Sequence, residues 1–435
     1  MKIEVLRLFT KTKLQRGITL YTRQSEQFKT VNVSIKWKTA LTNEKAANRS
    51  VLANVLEDSN GQYRTQNALR RKLDDLYGTV LYTDVAKRGG QHILTLNVDC
   101  VNDEYLQDDD VLEQALALMK TVIFEPNFVD GTFDGKIVAR EKRAVTERIR
   151  SQFDNKTSYA QKRMLENAYP NTPMSTSANG SEEAVDTVTV DSLMAAYHSL
   201  MTEDTIDLYV VGDIDEAKII AQLTALLPFE AREPEKYIPV HVTPIAQEDG
   251  QVKDVREQLE MKQGKLHLSF HTPVNFQHED YFAMQLVNGI FGGFAHSKLF
   301  MNVREKESMA YYASSSYSSH YGLLYVMSGI DAKLADKAVV LIQEQVEAMQ
   351  NGDISQLEMD QTIALLKNSI RSAFDSARGQ IEVFDQYKTL DEQFTPDVLI
   401  RKWEAVTKED LQRLAKQLQL QIVYLLSGKE DASDE

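Results

Sequence analysis

Cysteine is almost missing: Cys100 stands alone in 435 residues, which excludes an internal disulfide and any zinc cluster built on thiolates, and points to a reduced, cytoplasmic setting. Uncharged apolar runs of bilayer-spanning length are missing too, and residues 1–9 carry an early acid where a signal peptide would be apolar, so no membrane partner is expected. Nine prolines and nineteen glycines leave no room for a long low-complexity tract, and the whole chain is expected to fold. Basic side chains are outnumbered 49 to 64 and look dispersed. A net charge of -15 repels a phosphate backbone, which removes nucleic acid from the expected partners.

What is present is a regular alternation of patterns. Residues 30–38 alternate apolar and polar at period two, as a half-buried strand does. Leu69, Leu73, Leu76 and Tyr77 have helical spacing, Gly78 stops that helix, and Gly89-Gly90 turns one strand into another over 79–99. Helical patterns follow at 109–122, 134–152, 157–168 and 190–201, then a strand at 205–211 and a helix at 214–226. Residues 228–250 hold Pro228, Pro234, Pro239 and Pro244 and read as a linker. Beyond it the order returns: strand 265–272, helices 279–291 and 296–303, hairpin 309–330, long helices 332–350 and 354–374, and strand 421–427. The stretch from Val188 to Leu200 matches that from Val406 to Leu418, with Leu193 opposite Leu411. The reading is α+β: two homologous domains, 1–227 and 251–435, each a mostly antiparallel sheet with helices packed on one face, joined by the Pro-containing linker 228–250.

Two such halves, the segment Phe291-Gly-Gly-Phe-Ala-His-Ser-Lys-Leu-Phe300 and the run Val303-Arg-Glu-Lys-Glu-Ser-Met-Ala-Tyr-Tyr312 resemble the insulinase/pitrilysin family of zinc peptidases. Glu125-Pro-Asn-Phe128, Tyr169-Pro-Asn-Thr-Pro173 with Gly180, and Val210-Val-Gly-Asp-Ile214 support the resemblance by their order. It implies a clamshell, of which this chain forms a half or a quarter, closing around an unstructured peptide. In active members an inverted H-x-x-E-H motif puts two imidazoles on one helical face, with a distant glutamate as third ligand.

Here no histidine precedes His92. Counting back from Gly61 and Gly78 sets Leu52, Val55 and Leu56 where His, Glu and His would be, and the third-ligand region, with Glu141 and Glu147, puts Arg148 at the liganding position. A guanidinium is always protonated and cannot ligate zinc. His267 and His271 lie in a strand, where such positions stand about 13 Å apart at roughly 3.3 Å per residue, too far to share one ion. His92, His198, His241, His278, His296 and His320 are isolated. Asn54, Glu57 and Asp58 suit a hard cation better than zinc, and read more simply as a solvated helix end.

The resemblance also implies that Arg304 and Tyr311 are transition-state residues acting in trans: arginine offers forked donors to a peptide carbonyl or carboxylate, and the phenol donates to a developing oxyanion. The plainer readings are an ion pair of Arg304 with Glu305 or Glu307 and packed strand tyrosines at 311 and 312. Gly292, Gly293 and Phe294 match the family's Gly-rich substrate-handling segment, although the run is short. No cofactor is expected in this chain, zinc being expected in a partner. The expected function is that of a non-zinc subunit, inactive alone, completing a peptide chamber with a zinc-bearing homologue or a second copy. The alternatives are a peptide-binding or structural scaffold, and an independent peptidase with unconventional ligands.

Overall fold

The computed structural model describes residues 8–107, 110–233, 240, 252–391 and 393–429. It separates into two compact units, and neither is continuous in the chain: the first takes 1–150, 176–238 and 372–394, the second 151–175, 239–371 and 395–435. The expected linker is described only at 228–233 and 240, while 234–239 and 241–250 lie outside the described residues, as do His241, Asp108, Asp109 and the tail 430–435.

The first unit begins with β1 (Thr10–Gln15), β2 (Ile18–Gln24), β3 (Thr30–Ala40), α1 (Asn43–Asp58), α2 (Gln66–Asp75), β4 (Val80–Arg88), β5 (Gln91–Val101), α3 (Val111–Phe124), the short pair β6 (Phe128–Val129) and β7 (Thr132–Phe133), and α4 (Gly135–Asp154). Helix α5 (Lys156–Ala168) goes to the second unit; α6 (Glu182–Asp186), α7 (Val190–Thr202), β8 (Thr205–Gly212) and α8 (Glu216–Leu226) return to the first. The second unit continues with β9 (Lys253–Leu259), β10 (Gly264–His271), α9 (Tyr281–Asn288), β11 (Ala310–Ser318), β12 (Leu323–Ile330), α10 (Ala335–Gln350) and α11 (Gln356–Ala373). Helix α12 (Ala377–Tyr387) crosses back to the first unit, and α13 (Pro396–Glu404), α14 (Lys408–Ala415) and β13 (Gln419–Gly428) finish the second.

Both sheets are mixed but mainly antiparallel, and they repeat one topology. The first runs β1-β2-β8-β3-β5-β4 and the second β11-β12-β10-β13-β9. In each, the last strand of the repeat pairs antiparallel with one neighbour and parallel with the other: β8 with β3 and β2, β13 with β10 and β9. The helices before these strands start alike. Thr189 caps α7 and Thr407 caps α14, each in a reciprocal box with the residue three places on, Ser192 or Asp410.

One correction concerns the half-buried reading of β3. Its apolar face, Val33, Ile35 and Trp37, packs in the core under α1 and α3, but its polar face is buried as well: Lys36 is 2% exposed and Lys38 8%. The cover is α12. Asp385, fully buried, accepts from Lys36 at 3.1 Å, Lys38 at 2.7 Å, Arg88 at 2.9 Å and the Tyr209 hydroxyl at 2.6 Å, while Glu382 takes Lys36 at 2.8 Å. Lys388 bridges to Asp207 at 2.7 Å, and so does Lys38. Burial alone would raise the pKa of Asp385, yet Arg88, Lys36, Lys38 and Lys388 hold it well below the carboxylate range. In the second unit α5 covers the corresponding face of the sheet, here largely apolar, with Ala160 and Met164 packed among Leu323, Tyr325, Ile422, Tyr424 and Leu426. At its rim Arg163 donates to Glu257 at 2.6 Å, and the Tyr424 hydroxyl donates to the same carboxylate at 3.0 Å. Helices therefore cover both faces of each sheet, several on one and a single helix from the other sequence half on the second.

Candidate functional site

Helix α1 is capped by Thr42, which accepts from the Lys45 amide, and it is enclosed nearly all round, so its residues sort by what they face rather than by exposure. Leu52, Val55 and Leu56 belong to the core, at 0%, 6% and 4% exposure. The residues of α1 that line an open recess are Asn54, Glu57 and Asp58, together with Leu69, Arg70, Leu81, Tyr82, Thr83, Glu141 and Arg148, around a cavity of about 470 Å³. Asn54, Glu57 and Asp58 have the i, i+3, i+4 spacing that an H-x-x-E-H triple needs to share a face. The structure thus puts the recess-facing triple two residues later than the count back from the glycines does. Gly61 is no fixed marker of the helix end: its amide donates to Glu125 O at 2.6 Å, and a Cβ there would lie 3.1 Å from that oxygen.

The polar side chains that α1 and α4 bring to the recess are engaged. Glu57 accepts from the Thr83 amide at 2.7 Å and its hydroxyl at 2.9 Å, tying α1 to β4. Arg140 bridges Asp58 and Glu141, at 2.7 Å to the latter. Glu141, first, and then Asp58 raise the pKa of the Arg140 guanidinium. Asn54 donates to Glu141 at 3.2 Å and accepts from Arg148 at 3.1 Å; Arg148 also donates to Asn179, which accepts from Ser50 at 2.8 Å. Glu147 points to solvent. A zinc ion does not fit this donor set. It holds no imidazole, its carboxylates are already bonded, and guanidinium groups supply the positive charge a metal would bring. Among the described residues no group of three or more His, Cys, Asp and Glu could hold a metal ion.

Among the described residues no histidine lines this recess. His267 and His271 lie on β10, as expected, and burial pulls His267 down to about 3. His92 accepts from Arg49 Nε at 2.9 Å, so its other nitrogen donates to Ala178 O at 2.9 Å. Burial first and Arg49 second lower it to about 3.

In the second unit Arg304 sits on a π-helical turn, Leu299–Lys306. Its guanidinium lies 4.5 Å from the centre of the Phe300 ring and 3.6 Å from Glu305, a loose version of the pairing that its neighbours allow. Tyr311 is 68% exposed, whereas Tyr312 is packed and hydrogen-bonded to Thr157 at 3.0 Å. Gly292 is buried, and a side chain there would run into Leu299 and the Ser315 backbone, so its smallness serves packing of the π-turn on β11. Gly293 abuts Asn288, and Phe294 stacks on His296 with centroids 5.9 Å apart. Sequence reasoning missed Arg140, Asn179 and the Thr83 contact, for which the only linear signal is a polar residue at helical spacing.

Residues 187–366 match the family described as the peptidase M16 inactive domain. Over 418 residues the chain is 36% identical to a Bacillus subtilis (strain 168) protein named probable inactive metalloprotease YmfF, covering 96% of this chain and 97% of that one. A conserved protein from Enterococcus faecalis V583 of known crystal structure is 34% identical, with a TM-score of 0.90 over 97% of this chain and 99% of that one. A peptidase M16 inactive domain from Pseudomonas fluorescens, 18% identical, has the same fold, with a TM-score of 0.74 over 97% of this chain and 98% of that one.

Proposed function

The chain belongs to the peptidase M16 family as an inactive metalloprotease homologue, and from that premise we propose that it serves as the non-zinc subunit of a two-subunit peptidase, lending Arg304 and Tyr311 to a zinc site carried by a homologous partner. The observation that carries this reading is a contrast. The recess on α1 is closed by its own arginines, while Tyr311 projects into solvent at 68% exposure beside a loosely paired Arg304. A buried, bonded tyrosine would speak for packing; an exposed one is available to a substrate. In that assembly Tyr311 donates to the oxyanion formed on the scissile carbonyl, and Arg304 holds a neighbouring peptide carbonyl.

The partner is a different chain. Two copies of this one would bring two recesses of the same unsuitable donor set. No helix among the described residues is long and apolar enough to cross a membrane. The test is reconstitution with a zinc-bearing homologue and an unstructured peptide. Arg304→Ala and Tyr311→Phe are each expected to lower kcat by about 100-fold, the cost of one oxyanion donor. Unchanged turnover in both variants would move the function to the scaffold alternative.

A further inference from the structure

We propose that Thr157 and Gly329 are positioning residues for Tyr311: by seating Tyr312 they force an extra residue out of β11 and turn the Tyr311 side chain to solvent. Its use in catalysis rests on the reading above, but the positioning does not.

The register carries the argument. Ala310 pairs with Ile330 and Tyr312 with Gly329, so three residues of β11 oppose two of β12 and Tyr311 is the extra one. In a regular strand alternate residues share a face, which would put Tyr311 with Ala313 and Ser315. That side is occupied: Ser315 bonds Asn288 at 2.8 Å and lies against Gly292. The bulge breaks the alternation and frees Tyr311 from it.

What fixes the bulge is the seat of the next residue. The Tyr312 ring lies over Gly329, where a Cβ would overlap it. Its hydroxyl is 3.0 Å from Thr157 Oγ1, and the Lys265 ammonium is 5.1 Å from the ring centre. Its carbonyl accepts from the Ser328 hydroxyl at 3.1 Å. Ser308, in the left-handed region at φ 51°, makes the approach to this stretch. Thr157 opens α5, so the helix that comes from the N-terminal half of the chain is what holds Tyr312 in the second unit.

The probe is nitration of Tyr311 by tetranitromethane in the full chain, quantified by peptide mass spectrometry. Thr157→Val keeps the shape and removes the hydroxyl, Thr157→Ser restores it, and Gly329→Ala displaces the ring. Thr157→Val and Gly329→Ala are expected to slow nitration about threefold or more, with Thr157→Ser like the native chain. In the reconstituted pair the same two variants lower kcat about tenfold with little change in KM, as misplacing a reacting group does. Native nitration in Thr157→Val, at a native melting temperature, overturns the proposal even if Gly329→Ala fails to fold. Altered nitration without any partner-dependent hydrolysis leaves the positioning standing and sinks the peptidase reading. Hydrolysis that needs Tyr311 but ignores Thr157 does the reverse.

Discussion

At the scale of single residues the chain keeps two histidines where a charge cannot be solvated. His92 and His267 are both held near 3 by burial, against an unperturbed value of about 6.5. Above that value both are neutral in the folded and the unfolded chain, so their contribution is fully present. As pH falls through 6.5 toward 3 the unfolded chain binds two protons that the folded chain does not, and stability drops by about 2.7 kcal/mol per pH unit. Asp207 and Asp385, lowered by their lysines and arginine, add to the loss only below about 4, whereas Asp99 and Asp204, raised by burial, oppose it above about 4, where the folded chain takes up their protons before the unfolded chain does. Urea unfolding at pH 7.5 and pH 5 measures the difference, expected to be about 4 kcal/mol from the two histidines, and His267→Gln halves that part. Residues were also where the sequence said most about function. The lack of any histidine before His92 excludes the zinc motif without a structure. Which three residues of α1 face the recess was not legible, because Gly61 answers to Glu125 O rather than to the helix end.

At the scale of elements, strands and helices were readable from period and punctuation: the strands expected at 30–38, 205–211, 265–272 and 421–427 agree with β3, β8, β10 and β13 to within a few residues at their ends. What covers them was not. Lys36 and Lys38 mark β3 as having a polar side, and water is the default partner for a lysine. The actual partner, Glu382, is 346 residues further on. Nothing local announces that α12 will dock there, although Glu382, Asp385 and Lys388 fall on one helical face. Asp385 is the residue on which this docking turns. Asp385→Asn leaves Lys36, Lys38 and Arg88 without their shared carboxylate inside the unit, and removing one member of a buried ion pair costs about 3–5 kcal/mol. Denaturant titration is expected to show that loss, with α12 amides exchanging hydrogen faster than those of α1. A loss under 1 kcal/mol would mean that Glu382 and Asp207 alone suffice to hold the helix.

At the scale of the whole molecule the duplication was visible in the matched stretches ending in Leu200 and Leu418, and the order β4-β5-β3-β8-β2 of the first sheet returns as β11-β12-β10-β13-β9 in the second, with β1 added at the edge of the first. The exchange between the units was invisible, because the apolar stripe of a helix tells that it packs but not on which sheet. The exchange has a consequence for cutting the chain. A fragment ending at 238 carries the first sheet without α12, leaving Lys36, Lys38 and Asp207 on an uncovered sheet face, Tyr209 without Asp385, and Tyr21 without Phe384, whose ring is 5.3 Å away. A fragment starting at 239 carries the second sheet without α5, so that Tyr424, Tyr325 and Leu426 lose Ala160 and Met164. Neither half can cover the sheet face that the other half's helix packs on, charged in the first sheet and apolar in the second, and an unpaired buried charge or an open apolar face each costs several kcal/mol against a total stability of about 5–15 kcal/mol. Each fragment alone is therefore expected to lack near-ultraviolet circular dichroism and to bind a hydrophobic dye. Co-expressed, the two supply each other's missing helix and elute as a one-to-one complex with native dichroism. If the halves of the chain were self-sufficient domains, each fragment would instead unfold cooperatively by itself and the mixture would elute as two species.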